Sequence, residues 1–178
     1  FNRSHYEEVL VVRVHPENLD RQRLPPGSRG PDIWAQRFGE INRWERYLVD
    51  NGIRVVKLFL HLSKEEQRQR FLKRLEVKEK NFKFSAADVH ERTYWDEYQR
   101  AFSEMLSHTS TDRAPWYVIP ADHKWFSRLC AAAVLVETLA EIDPHYPVLS
   151  GRQLEELEAA RVALEAEAPQ RRSKSPRT

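Results

Sequence analysis

Two stretches of this 178-residue chain carry side chains whose types and spacing can do chemistry. Across residues 68–83, the cations Arg68, Arg70, Lys73, Arg74, Lys78, Lys80 and Lys83 stand against only two carboxylates, Glu76 and Glu79. On a helix, Arg70, Lys73 and Arg74 fall at i, i+3 and i+4 and share a face, where guanidinium and ammonium groups can hold a row of phosphates. The same pattern also makes an ordinary solvated face, and charge alone leaves both readings open. The second stretch is Asn2, Arg3, Ser4, Tyr6, Glu7 and Glu8, at a predicted helix start, where free backbone N–H groups and the helix dipole favour an anion. Arg3 is a candidate phosphate contact. Glu7 and Glu8 are adjacent and point to different faces, so one of them is expected to reach a bound divalent cation such as Mg²⁺. Glu7 has an equally good reading as the carboxylate of an S-x-x-E capping box opened by Ser4. The seven histidines have no H-E-x-x-H or H-x3-H spacing and read as surface or core residues.

Composition narrows the classes. A content of 5 Trp, 6 Tyr and 8 Phe is foreign to a wholly disordered chain. The net charge of +2 leaves any polyanion affinity to local clustering, which argues against DNA or RNA as partner. Cys130 is the single cysteine; it excludes an intrachain disulfide, fits a reducing compartment and reads as a small apolar helix residue. The longest apolar run, residues 130–136, is far shorter than a membrane span, and no signal peptide opens the chain, so a soluble, cytoplasmic protein is expected. The first residue is Phe1, which suggests a fragment, and no GxxxxGK[ST] or GxGxxG phosphate loop occurs.

The elements that position these residues follow from pattern. Ser4 opens a predicted helix that Pro16 stops soon after His15, although Val9 to Val14 is also strand-like. Residues 16–32 hold four prolines and two glycines and read as a long loop. From a plausible N-cap at Asp32, Ile33, Trp34, Phe38, Ile41, Trp44 and Leu48 recur at helical steps until Asn51-Gly52. Arg54 to Leu62 reads as a strand buried in a parallel sheet. Ser63 with Glu66 caps a helix to about Val77, and Ser85 with Asp88 a second to about Ser107. This helical hairpin interrupts a strand–helix alternation that resumes with the strand APWYVIPAD and the long helix HKWFSRLCAAAVLVETLAEI. Such a hairpin would sit as a lid over the carboxyl ends of parallel strands. After Pro144 and Pro147, Ser150 caps a charged helix from about Arg152 to Ala168, and a basic tail follows that is expected to be disordered.

The strings FNRSHYEEVLVVRVH, KEKNFKFSAADVHERTYWDEY and TSTDRAPWYVIPADHKWFSRL resemble the polyphosphate kinase 2 family from Phe1 to about Pro147. The resemblance implies a P-loop kinase-like α/β fold, similar to thymidylate kinase, with a helical lid at about 64–107. It also implies Mg²⁺-dependent phosphoryl transfer between inorganic polyphosphate and nucleoside mono- or diphosphates. The domain would run over residues 1–149, with the charged helix and tail at 150–178 outside it. By the same resemblance Asn2-Arg3-Ser4 is a Walker B-like strand end, written Asp-Arg-Ser in other branches of the family. Glu7 or Glu8 then takes over the metal role from the departure at Asn2, and Arg3, Glu7 and Arg74 act in catalysis. Arg3, Arg70, Lys73, Arg74, Lys80, Lys83 and Arg92 meet polyphosphate or nucleotide phosphates. A dimer or tetramer is implied as well. The family's Walker A loop lies upstream and is not in this sequence, so the sheet is expected to be N-terminally incomplete with a bare edge or exposed apolar face, and the chain alone inactive. An ATP-dependent nucleoside monophosphate kinase and a non-catalytic polyphosphate-binding module are the alternatives.

Overall fold

The computed structural model describes residues 4–167. It divides the chain into two units, one up to Thr138 and one from Leu139 onward. The single helix predicted from Ser4 to His15 is instead two short ones, α1 (Ser4–Glu7) and α2 (Val11–Val14). Between them Leu10 leaves helical geometry (φ −114°, ψ −86°) and the carbonyl of Glu8 accepts from Arg37 Nη1 at 2.7 Å. The turn drives Val9 to full burial beside Phe38, Ile41 and Met105. Burying one such side chain stabilises by about 1.5–3 kcal/mol, which outweighs a helical hydrogen bond or two at ~1 kcal/mol each. The Ser4 side chain, and so the first capping box, lies outside the described residues.

A 3₁₀ turn (Pro16–Arg21) opens the long loop. The helix α3 (Ile33–Asp50) follows as predicted, with Ile33, Phe38 and Ile41 buried together with two charged residues, Arg37 and Glu45. Asp32 precedes it without a side-chain cap bond, and Gly52 stops it in left-handed geometry at φ 82°. The strand β1 (Lys57–His61) is shorter than the predicted Arg54–Leu62. It pairs in parallel with β2 (Trp116–Pro120), Lys57 opposite Trp116 and His61 opposite Pro120. Among the described residues these two strands form the sheet. Leu60 and Val118 are more than half exposed, so the sheet has an open apolar face among the described residues.

Between the strands lie α4 (Lys64–Glu76), a 3₁₀ turn (Lys78–Lys83), α5 (Ala86–Glu91), a short 3₁₀ segment (Arg92–Tyr94) and α6 (Trp95–Thr109). Ser63 caps α4 by accepting from the Glu66 N–H at 3.1 Å, but the Glu66 carboxylate turns to Arg70 at 2.8 Å instead of closing the box. Ser85 accepts from Ala87 N–H, and the helix predicted to run on to Ser107 breaks where Arg92 turns back toward α4 and donates to the carbonyl of Lys64 at 3.2 Å. The helix α7 (Lys124–Ile142) carries its apolar residues largely exposed, Trp125, Leu129 and Val136 among them. In the second unit, Ser150 and Gln153 form a complete capping box for α8 (Gly151–Ala166). The predicted disordered tail falls outside the described residues. No helix among the described residues is long and apolar enough to cross a membrane.

Candidate functional site

A cleft of about 450 Å³ opens where the carboxyl end of β1 meets the inserted helices. Open α/β sheets bind ligands outside the carboxyl ends of their strands, so the position follows from the topology. Phe59 of β1, Phe71 of α4, and Trp95, Tyr98 and Phe102 of α6 make an aromatic wall. The last three recur at i, i+3 and i+7, which puts them on one face of α6. Two cations reach the same space. The guanidinium carbons of Arg74 and Arg92 lie 5.4 and 6.0 Å from the ring centroid of Phe71, within cation–π range. Arg92 is further fixed by donating to Lys64 O and to Gln67 Oε1. The cleft therefore presents two oriented guanidinium groups over an apolar floor, an arrangement that concentrates positive charge where water is partly excluded.

The acidic side of the cleft is organised around Glu91. Its Oε2 lies 3.0 Å from His15 Nε2 and accepts from the Tyr98 hydroxyl at 2.9 Å, so the segment after α2 is linked to α5 and α6. The His15 hydrogen bond is the main reason the Glu91 carboxyl titrates below its ordinary range. Burial, then the bond to Glu91, push the Tyr98 hydroxyl well above its own, and the charge of Glu7 adds to that push. Glu7 is not among the residues that line the cleft. In its neighbour Glu8, Oε2 is 3.0 Å from Arg37 Nη1 and accepts from Gln22 Nε2 at 2.8 Å.

The other predicted residues separate into groups. Arg70 is turned from the cleft: it donates to Glu66, to the carbonyl of Ala121 at 2.7 Å and to that of Asp122 at 3.2 Å, so it ties α4 to the segment after β2. Lys73 shares the last turn of α4 with Arg74 but is not among the cleft-lining residues. Lys80 and Lys83 belong to the 3₁₀ turn after α4, and their side chains, like Asn2 and Arg3 entirely, lie outside the described residues. Among the described residues no group of three or more His, Cys, Asp or Glu side chains is placed to hold a metal. Sequence reasoning missed Phe71, Glu91, Trp95 and Tyr98. The helical spacing of Trp95, Tyr98 and Phe102 was the available signal for the aromatic wall; nothing local announced the link from Glu91 to His15.

The family model described as Polyphosphate kinase 2 (PPK2) matches residues 1–147. A relative from Rhodopseudomonas palustris, named ADP-polyphosphate phosphotransferase, is 49% identical over 158 residues, covering 88% of this chain and 55% of its own length. One from Meiothermus ruber, named AMP/ADP-polyphosphate phosphotransferase, is 46% identical over 147 residues, 83% of this chain and 51% of its own length. The crystal structure of polyphosphate kinase 2 from Arthrobacter aurescens TC1 superposes with a TM-score of 0.72 at 34% identity, covering 92% of this chain and 52% of that one. The chain spans about half the length of these relatives. The α/β, P-loop kinase-like fold class expected from the sequence is the one these comparisons support.

Proposed function

The chain belongs to the polyphosphate kinase 2 family, and on that premise we propose that it is the lid-bearing part of a phosphotransferase that moves a phosphoryl group between inorganic polyphosphate and nucleoside mono- or diphosphates. The observation that carries the reading is the family match across residues 1–147, together with relatives whose names pair polyphosphate with AMP or ADP.

The cleft supports it chemically. Phosphoryl transfer through a loose transition state asks the protein chiefly for positioning and charge neutralisation. Arg74 and Arg92, held over Phe71, would meet the negative oxygens of the transferring group or its neighbours. The segment from Lys64 to Ser107 acts as the lid, and its aromatic wall keeps water from the reacting phosphates. Arg3, with Lys73, Lys80 and Lys83 from the lid, would extend the phosphate track. Arg70 anchors the lid helix at its root.

Mg²⁺ needs only one or two protein carboxylates when substrate phosphates complete its shell, so the lack of a three-residue cluster among the described residues fits this metal better than a caged one. Glu7 is the carboxylate that would hold it, with Asn2 of the same N-terminal segment. When bound, the ion supplies charge neutralisation between phosphates. A cytoplasmic setting, which the single Cys130 supports, and a homodimer or homotetramer complete the reading.

The test is Mg²⁺-dependent ATP formation from ADP and long-chain polyphosphate by the full chain as the organism makes it. ATP appearing only with polyphosphate is the expected result. Turnover of ATP with a nucleoside monophosphate and no polyphosphate would replace this reading by an ordinary nucleotide kinase, and salt-sensitive polyphosphate binding without product by a binding module.

A further inference from the structure

Outside the cleft the first unit buries an ion pair. Glu45 on α3 and Lys57 at the start of β1 are 2% and 4% exposed, with Nζ 2.7 Å from Oε2. Lys57 also donates to the carbonyl of Thr109 at the end of α6 and lies 5.1 Å from the ring centroid of Trp116. Burial pulls its ammonium below the ordinary lysine range even with Glu45 beside it. Desolvation offsets most of the attraction in such a pair, and apolar residues of similar volume stabilise as well or better. What the pair holds in place therefore matters beside its own stability.

What it holds is visible at the second carboxylate oxygen. Glu45 Oε1 accepts the hydroxyl of Tyr6. Tyr6 belongs to α1, four residues long, where an isolated helix needs about 12–15 residues to be even marginally stable. The geometry of this turn must come from tertiary anchors. Its ring meets Trp116 edge-on at 4.9 Å, and its hydroxyl is the directional contact. Tyr6 is followed directly by Glu7 and preceded three positions earlier by Arg3.

We propose that Tyr6 is a positioning residue: the hydrogen bond from its hydroxyl to the buried Glu45–Lys57 pair fixes the turn that carries Glu7. This rests on the phosphotransfer reading for its kinetic consequence, while the anchoring itself does not.

The experiment compares Tyr6→Phe and Glu45→Gln in the full chain. Tyr6→Phe keeps the ring packing and removes the hydroxyl. Glu45→Gln keeps an acceptor for that hydroxyl and removes the charge that pairs with Lys57. The expected result is a dissociation of turnover from stability. Tyr6→Phe loses no more melting temperature than Glu45→Gln and keeps its KM values, yet loses about tenfold in kcat. Glu45→Gln melts several degrees lower, yet turns over within about threefold of the parent. A structural role alone makes turnover follow stability, with Glu45→Gln the worse variant, and that order overturns the proposal. Amide hydrogen exchange at Val9 and Leu10, whose N–H groups donate to the carbonyls of Tyr6 and Glu7, reads the anchoring without turnover: it should accelerate in Tyr6→Phe while α3 and α6 stay protected. Unchanged exchange there overturns the proposal, whereas a parent that makes no ATP from polyphosphate, with exchange accelerated in the variant, overturns only the phosphotransfer reading.

Discussion

The backbone N–H of Ser63 donates to Oδ1 of Asp122 at 2.8 Å, so the loops leaving the carboxyl ends of β1 and β2 are tied to each other. That bond, more than any nearby charge, holds the Asp122 carboxyl below its ordinary 3.8. A carboxylate with a depressed folded-state pKa contributes stability that is present above the unfolded value and disappears as pH falls through the folded one. Asp122→Asn keeps an acceptor but does not titrate. The parent should have the higher urea midpoint at about pH 7, and the gap should narrow as the pH falls below the ordinary carboxylate range and through the lowered folded-state value. A gap independent of pH would assign the effect to side-chain shape.

Arg70 and Arg74 lie one turn apart on α4, and the structure gives them different work. Arg70 spends its donors on Glu66 and on the carbonyls of Ala121 and Asp122, while Arg74 lines the cleft above Phe71. Arg74→Ala should lower turnover by about tenfold to a thousandfold with little change in melting temperature, and should reduce the salt dependence of polyphosphate binding. Arg70→Ala should lower the melting temperature first. Equal kinetic losses with unchanged stability in both would show that Arg70 also meets phosphate.

The difference between these two arginines marks what the sequence could carry. Cationic spacing along residues 68–83 put Arg70, Lys73 and Arg74 on one face, but which of them turns inward depends on where Ala121 and Asp122 arrive, some fifty residues later. The strong local signals held: α3 stops at Gly52, Ser63 and Ser150 cap their helices, and β1 and β2 pair in parallel. The helix expected from Ser4 failed because a buried Val9 and the grip of Arg37 on the Glu8 carbonyl are tertiary terms that a capping box does not encode. Glu45 was invisible for the same reason: on a helical wheel it is one more charge, and only the fold places Lys57 against it.

Phe71 should matter to phosphate affinity although it bears no charge. Its ring orients both Arg74 and Arg92, and each cation–π contact at a partly exposed site is worth about 0.5–1 kcal/mol. Phe71→Leu keeps an apolar side chain and removes the ring. We expect KM for polyphosphate to rise by about threefold to tenfold, with kcat changed less, measured at fixed ionic strength because free cations are screened by salt. A rise in KM for neither substrate would show that the two arginines are held well enough by Gln67, Lys64 and the helix itself.

Glu45 and Lys57 make the sharpest energetic prediction. Glu45→Ala strands an ammonium that is 4% exposed, and breaking one partner of a buried pair costs about 3–5 kcal/mol. Adding Lys57→Met to Glu45→Ala removes the stranded charge and should return more than half of that loss in urea unfolding, because much of the penalty belongs to the unpaired ion and not to the pair. Turnover should not return with it. The double variant still lacks the acceptor that Glu45 offers to Tyr6, so its stability recovers while the α1 turn stays unanchored. Recovery of both together would mean that the pair serves the core and that the hydroxyl of Tyr6 has no part in holding Glu7.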